Sequence, residues 1–157
     1  MPVILRGEQG DASGSYAIVV SKYNDNITTK LLAGAVETLS AVGIAAADIT
    51  VAWVPGAWEI PLVAQQLASS RRFAAIITLG AVIKGETTHD EHINRQVSLS
   101  LGQISLETGI PIAFGILTCN TLEQAIHRAG GNVGNKGVEC AQAALEMVRL
   151  LRQMSGK

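Results

Sequence analysis

Aromatic residues are scarce in this 157-residue chain, at 4% of the total: two tryptophans, two tyrosines and two phenylalanines. With 48% of residues hydrophobic, the interior must be built from alanine, valine, isoleucine and leucine, and each ring becomes a residue to account for. An excess of charge of one sign is missing too. Twelve Lys plus Arg against thirteen Asp plus Glu leave a formal charge of −1 with no basic run, which disfavours a nucleic-acid partner. Long apolar runs are absent. The most hydrophobic segment, residues 73–83, contains Thr78 and Gly80 and has about half the ~20 residues that a membrane-spanning helix needs. Cysteine is limited to Cys119 and Cys140, without CxxC spacing or histidine partners for zinc, which suits reduced thiols in a cytosolic protein. Residues 1–15 lack the charged start, apolar run and small-residue cleavage site of a signal peptide. What is present is enough apolar sequence for one domain with a substantial core.

Short apolar runs alternate with helical patterns, and no repeat or linker interrupts them. Tyr16–Ser21 reads as a buried strand, and Asn24-Asp25-Asn26 offers caps for a helix over about Ile27–Val42, which Gly43 ends. A second strand, Ile49–Val54, stops at Pro55-Gly56; a helix then runs from Glu59 or Ile60 to Ser70, with Pro61 in its first turn. The third strand, Ala74–Ile83, is the most apolar and is expected to be central. A helix over Thr88–Thr108 closed by Gly109, a fourth strand over Ile112–Thr118, a short helix over Leu122–Ala129 and a final helix over Asn135–Met154 complete the order. Strands of this kind alternating with helices predict an α/β fold: a parallel sheet covered by helices on both faces, with right-handed crossovers. Ligands in such folds bind beyond the carboxyl ends of the strands. Those ends are Lys22–Asn26, Pro55–Glu59, Lys84–His89 and Thr118–Asn120.

The richest of these ends is the stretch from Gly80 through Lys84-Gly-Glu-Thr-Thr-His89 to His92. Here a strand gives way to a helix whose first N–H groups favour an anion, with a threonine hydroxyl as a further donor; Thr87 and Thr88 could equally be plain caps. No Walker sequence is present. His89 would face the same crevice, where an imidazole suits proton transfer near neutral pH, although a lone histidine is more often a surface or capping residue. His89 and His92 raise the question of a metal, but HExxH spacing and a third ligand are lacking. In Val54-Pro-Gly-Ala-Trp-Glu59, Trp58 is either a core ring or a wall for a planar ligand, and Glu59 either a hydrogen-bond acceptor or a first-turn acid. Tyr23, after the first strand, could stack on a heterocycle or simply pack. Gly130–Gly137 lies between two helices, outside the strand-to-helix setting of a phosphate loop, and is expected to be a flexible joint; Arg128 and Lys136 flank or enter it.

Taken together, Ser21–Thr28, Val54–Pro61, Leu79–His89, Ile112–Thr118, and Glu123–Gly130 with Gly134–Gly137 resemble the lumazine synthase family, in its order and spacing from about residue 15 onward. The resemblance implies a flavodoxin-like three-layer α-β-α sandwich. It also implies a cofactor-free, metal-free condensation of 5-amino-6-(D-ribitylamino)uracil with 3,4-dihydroxy-2-butanone 4-phosphate, the penultimate step of riboflavin biosynthesis. By position, Tyr23 would stack on the pyrimidine, while Ala57, Trp58, Glu59, Ala81, Val82 and Ile83 would bind its ring and ribityl chain. Glu86 and Thr87 match the segment that binds the butanone phosphate, which Arg128 would reach from another helix. His89 matches the proton-transfer residue, and Phe114 lines the pyrimidine pocket across a subunit boundary.

Some positions depart from the family's pattern. Asp90 follows the histidine where an aromatic residue is common, Glu86 stands where a small residue is common, and Asn132 replaces a commonly basic residue. The resemblance further implies small-molecule substrates, a pentamer, and a riboflavin synthase as partner. With no insertion in Gly130–Gly137, twelve pentamers forming an icosahedral shell of sixty chains is the expected state. Residues 1–15 resemble an arm that joins a neighbour's sheet. Rival readings are a shell protein that binds flavin or lumazine without turnover, and a flavodoxin-like electron carrier; the latter lacks a Ser/Thr-rich loop after the first strand.

Overall fold

Aliphatic runs become the four strands β1 (Tyr16–Ser21), β2 (Ile49–Val54), β3 (Ala75–Ile83) and β4 (Ile112–Cys119) in a computed structural model that describes residues 1–156. They form one parallel sheet in the order β2-β1-β3-β4. Val19 of β1 sits opposite Ala52 on one side and Thr78 on the other, and Thr78 in turn sits opposite Phe114. The interior positions therefore belong to β1 and β3 together. Every residue of β1 is buried, whereas β2 is an edge with Val51 and Trp53 exposed.

Because side chains alternate across a strand, each strand feeds two apolar layers. Tyr16, Ile18 and Val20 join Ile77 and Leu79 against α1 (Asp25–Ala41) and α5 (Lys136–Met154). Ala17, Val19 and Ile76 face α2 (Ile60–Ser69) and α3 (His89–Thr108) on the other side. The result is the expected three-layer α-β-α sandwich. Two buried hydroxyls are paired with backbone, Thr78 donating to the Ala113 carbonyl at 2.8 Å and Thr28 to that of Ser21 at 2.7 Å. The buried Ser21 hydroxyl has no protein partner among the described residues.

The boundaries differ from expectation where polar contacts decide them. Helix α1 stops one residue before Val42, which is exposed, and Gly109 closes α3 in the left-handed region at φ 71° as its position predicted. The expected flexible joint is instead ordered. After α4 (Leu122–Arg128), strands β5 (Ala129–Gly131) and β6 (Gly134–Asn135) form a small antiparallel hairpin. Asn135 then caps α5, its Oδ1 accepting from Gly137 and Val138 N–H at 2.8 and 3.2 Å while its Nδ2 donates to the Lys30 carbonyl at 3.1 Å. A β-carbon at Gly137 would overlap the Leu31 carbonyl, so α1 and α5 meet there backbone to backbone.

Much of the expected N-terminal arm lies along this chain's own α5. Gln153 donates to the carbonyls of Arg6 and Gln9 at 2.6 and 3.1 Å, and Arg152 to those of Asp11 and Ser13 at 3.1 and 2.7 Å. Met1, Val3 and Ile4 are exposed. Among the described residues, no helix is long and apolar enough to cross a membrane.

Candidate active site

A parallel ladder ends where its strands end, but here the loops after β1 and β3 continue it with three backbone bonds. Lys22 N–H donates to the Val54 carbonyl at 2.8 Å and Tyr23 N–H to that of Pro55 at 3.0 Å, which sets Tyr23 beside the exit of β2. Lys84 N–H reaches the Cys119 carbonyl at 2.8 Å, extending β3 along β4. Between β1 and β3 the link is a side chain. Asn24 adopts a left-handed backbone, φ 62° and ψ 47°, and its Nδ2 donates to the Ala81 carbonyl at 2.9 Å. Its side chain therefore does not cap α1 as its position had suggested; asparagine tolerates this backbone better than most residues.

The chain runs from β1 out to β2 and returns past β1 to β3, and at that reversal lies a cleft of about 630 Å³. Tyr23 stands on it with its ring exposed. From the β2 side, Pro55-Gly56 leads into a 3₁₀ turn, Ala57–Glu59, whose three residues all line the cleft. Ala57 is buried, Glu59 half-buried, and Trp58 is 57% exposed, which rules out the core-ring alternative. From β3 come Ala81, Val82 and Ile83, consecutive residues that combine alternate side chains with a stretch of backbone. The start of α3 closes the far side with Thr87 and His89. Thr87 Oγ1 accepts from His89 N–H at 3.3 Å, whereas Thr88, at the cap position, makes no side-chain cap.

Nine of the residues that the sequence singled out thus meet in one cleft: Tyr23, Ala57, Trp58, Glu59, Ala81, Val82, Ile83, Thr87 and His89. Glu86, Phe114 and Arg128 do not line it. Glu86 is exposed in the loop between Gly85 and Thr87, both of which do line it. Phe114 is 43% exposed near the start of edge strand β4, opposite Thr78 and about 10 Å below the level of Ala81. Arg128 is exposed at the end of α4, where its charge is felt by Cys119, the residue paired with Ile83. Burial nonetheless pushes the Cys119 thiol up, and that of Cys140 up to about 11. Neither cysteine lines the cleft, and among the described residues no group of three His, Cys, Asp or Glu side chains could hold a metal ion.

Asp90 and Ile93, which neither motif nor resemblance marks as site residues, also line the cleft. Their signal was helical register, since both fall on the face of α3 that continues through buried Val97.

The cleft offers two rings, a carboxylate and strand-end backbone for a planar polar ligand. Beside these lie helix-start N–H groups with a threonine hydroxyl for an anion, and an imidazole within reach of both. The family model of 6,7-dimethyl-8-ribityllumazine synthase matches residues 14–152, and the chain belongs to that family.

Proposed function

We propose that this member of the lumazine synthase family is a transferase that condenses 5-amino-6-(D-ribitylamino)uracil with 3,4-dihydroxy-2-butanone 4-phosphate. The products are 6,7-dimethyl-8-ribityllumazine, phosphate and water. The observation that carries the reading is the convergence of Tyr23, the Ala57–Glu59 turn, Ala81–Ile83, Thr87 and His89 on one cleft at the carboxyl ends of three parallel strands.

The uracil ring lies between the exposed faces of Tyr23 and Trp58, with its polar edge on the backbone of Ala81–Ile83. Glu59 accepts from N–H or O–H donors of the ring and its ribityl chain. The phosphate of the ketone sits at the start of α3 on Thr87. The pyrimidine's amine then adds to the ketone carbonyl and water leaves, giving an imine. Loss of a proton and of phosphate yields an enol, which tautomerises to a ketone; the ribityl-bearing nitrogen attacks that carbonyl, and loss of a second water closes the ring. His89 is the group placed to take and return these protons. Thr87 and the α3 N–H groups stabilise the departing phosphate, and holding two substrates together supplies a further share of the acceleration.

Phe114 and Arg128 lie outside this chain's own cleft. We assign them to the cleft of a neighbouring copy, Phe114 beside the pyrimidine and Arg128 on the phosphate. This makes the working enzyme an oligomer, a pentamer and, with the short hairpin between α4 and α5, a shell of sixty chains. Elution of the native protein at pentamer size would refute the shell.

The reaction is tested by mixing both substrates with the protein and following lumazine absorbance or fluorescence against the spontaneous background. Acceleration is expected. Binding of the lumazine without acceleration would replace the enzyme with a non-catalytic binding protein.

A further inference from the structure

Helix α3 carries an apolar line into the cleft. Val97 and Leu101 are buried, and Ile93, four residues before Val97, packs on the same cluster, which also holds Ala57 and Val82 from the other walls. Four residues before Ile93 stands His89. Side chains at this spacing lie one above the other, so Ile93 is one turn, about 5–6 Å, behind the histidine on the same face. Its side chain leans back over that turn, towards the helix start. Whereas Val97 is fully buried, Ile93 is only half-buried and lines the cleft, so part of its aliphatic surface is open to a ligand. The other α3 side chains on the cleft are polar: His89, and Asp90, whose Oδ1 is shielded from solvent without a hydrogen-bond donor among the described residues. Ile93 is therefore the place on α3 where carbon is received and where a hydroxyl or phosphate would lose its water for nothing.

In the reaction proposed above, the ketone's phosphate rests on Thr87 and its reacting carbons lie beside His89. The end remote from the phosphate is a methyl group, and the chain between the two spans about 6 Å, one helical turn. Held at Thr87 and led past His89, it delivers the methyl to Ile93. The pyrimidine has no alkyl group to place there, since its ring edge is polar and its ribityl chain hydroxylated. We infer that Ile93 is a specificity-determining residue for the ketone, seating the methyl end. Behind it the stripe closes on Val97, which leaves no room for a longer alkyl group. The inference rests on the proposed reaction for the identity of the ketone.

The test compares wild-type protein with Ile93→Val and Ile93→Ala, using the methyl ketone and its ethyl homologue, one carbon longer at the end remote from the phosphate. One methylene in an apolar pocket is worth about 10- to 200-fold in discrimination, so wild type should prefer the methyl ketone at least about tenfold in kcat/KM. Ile93→Ala should raise the KM for the methyl ketone about fourfold and, by admitting the ethyl group, reduce the preference about tenfold or more. Ile93→Val should fall between the two, and binding of the pyrimidine alone should stay within about twofold of wild type in both variants. A wild-type preference below about threefold, a preference unchanged in Ile93→Ala, or a matching loss of pyrimidine binding would overturn the inference. A merely structural residue would lower the melting temperature and slow both ketones by one factor, leaving the preference where it was. If Ile93→Ala fails to fold, Ile93→Val decides by the same ratio. Should wild-type protein bind the substrates without accelerating the condensation, the reaction fails, and equilibrium binding of the two ketones still judges Ile93. Absence of ketone binding to wild type would overturn both.

Discussion

Replacing His89 with alanine should slow turnover far more than it weakens binding. General acid–base catalysis is worth about 10²- to 10⁴-fold in general, and the structure decides where in that range this histidine falls. Its backbone N–H is tied to Thr87 Oγ1, but its imidazole is exposed and, among the described residues, makes no hydrogen bond that would fix the ring. An unbraced base belongs at the low end. The expected loss is about 10²-fold in kcat, equivalent to about 2.7 kcal/mol of barrier. Tyr23, Trp58 and Glu59 lie on other elements and still hold the substrates together, so the variant should remain faster than the spontaneous reaction. Alanine suits the first turn of α3, and the helix itself should be undisturbed. The assay is lumazine formation at saturating levels of both substrates, with a fluorescence titration of the product alongside. A kcat within about threefold of wild type would remove His89 from the proton transfers. A product affinity falling as far as kcat would show that the residue binds rather than reacts.

Arg128→Ala should raise the KM for the phosphorylated ketone about tenfold or more and leave that for the pyrimidine unchanged; unaltered kinetics would exclude Arg128 from the site. Tyr16→Phe removes a buried hydroxyl that donates to the Ala12 carbonyl at 2.6 Å, and should cost about 1–2 kcal/mol, read as a lower urea midpoint at constant m-value. An unchanged midpoint would mean that water replaces the bond freely. Burial raises the Cys140 thiol from 9.0 to about 11, so over that interval the folded chain keeps a proton that the unfolded chain has lost. Stability is therefore full below about pH 9 and falls as pH rises towards 11, by on the order of 2–3 kcal/mol. Cys119 and Tyr16 are shifted in the same direction and add to the slope. Urea midpoints across that range should fall less steeply in Cys140→Ala, and equal slopes in the two proteins would refute the assignment.

The strands were legible because a segment such as Tyr16–Ser21, buried on both faces, cannot tolerate a polar interruption at its centre, and its borders are correspondingly sharp. Three strand ends then fall together, and Tyr23, the Ala57–Glu59 turn, Thr87 and His89 followed from topology, whereas Ala81–Ile83 came only with the family resemblance. Gly130–Gly137 misled because glycine reports only conformational freedom. The bond that ties the start of α5 to α1, from Asn135 to the Lys30 carbonyl, spans 105 residues and leaves no local pattern. Phe114 and Arg128 were found by resemblance, yet within one chain nothing carries them to the cleft, since the constraint acting on them lies in the assembly proposed above. Asp90 was legible only as a departure from the family's pattern. Its unpaired oxygen exists only once α3 has docked on the sheet.

The bond from Asn24 to the Ala81 carbonyl has a bearing on how ligands are received. Parallel strands diverge where their ladder stops, and a crevice at a topological reversal could open and narrow with that divergence. A single amide clamps the two inner strands at their exits, so the gap between them has a set width before any ligand arrives. The cost of holding Asn24 in a left-handed conformation, about 1 kcal/mol, was met during folding. The affinity of the floor for a flat ring is then not reduced by work spent in forming it.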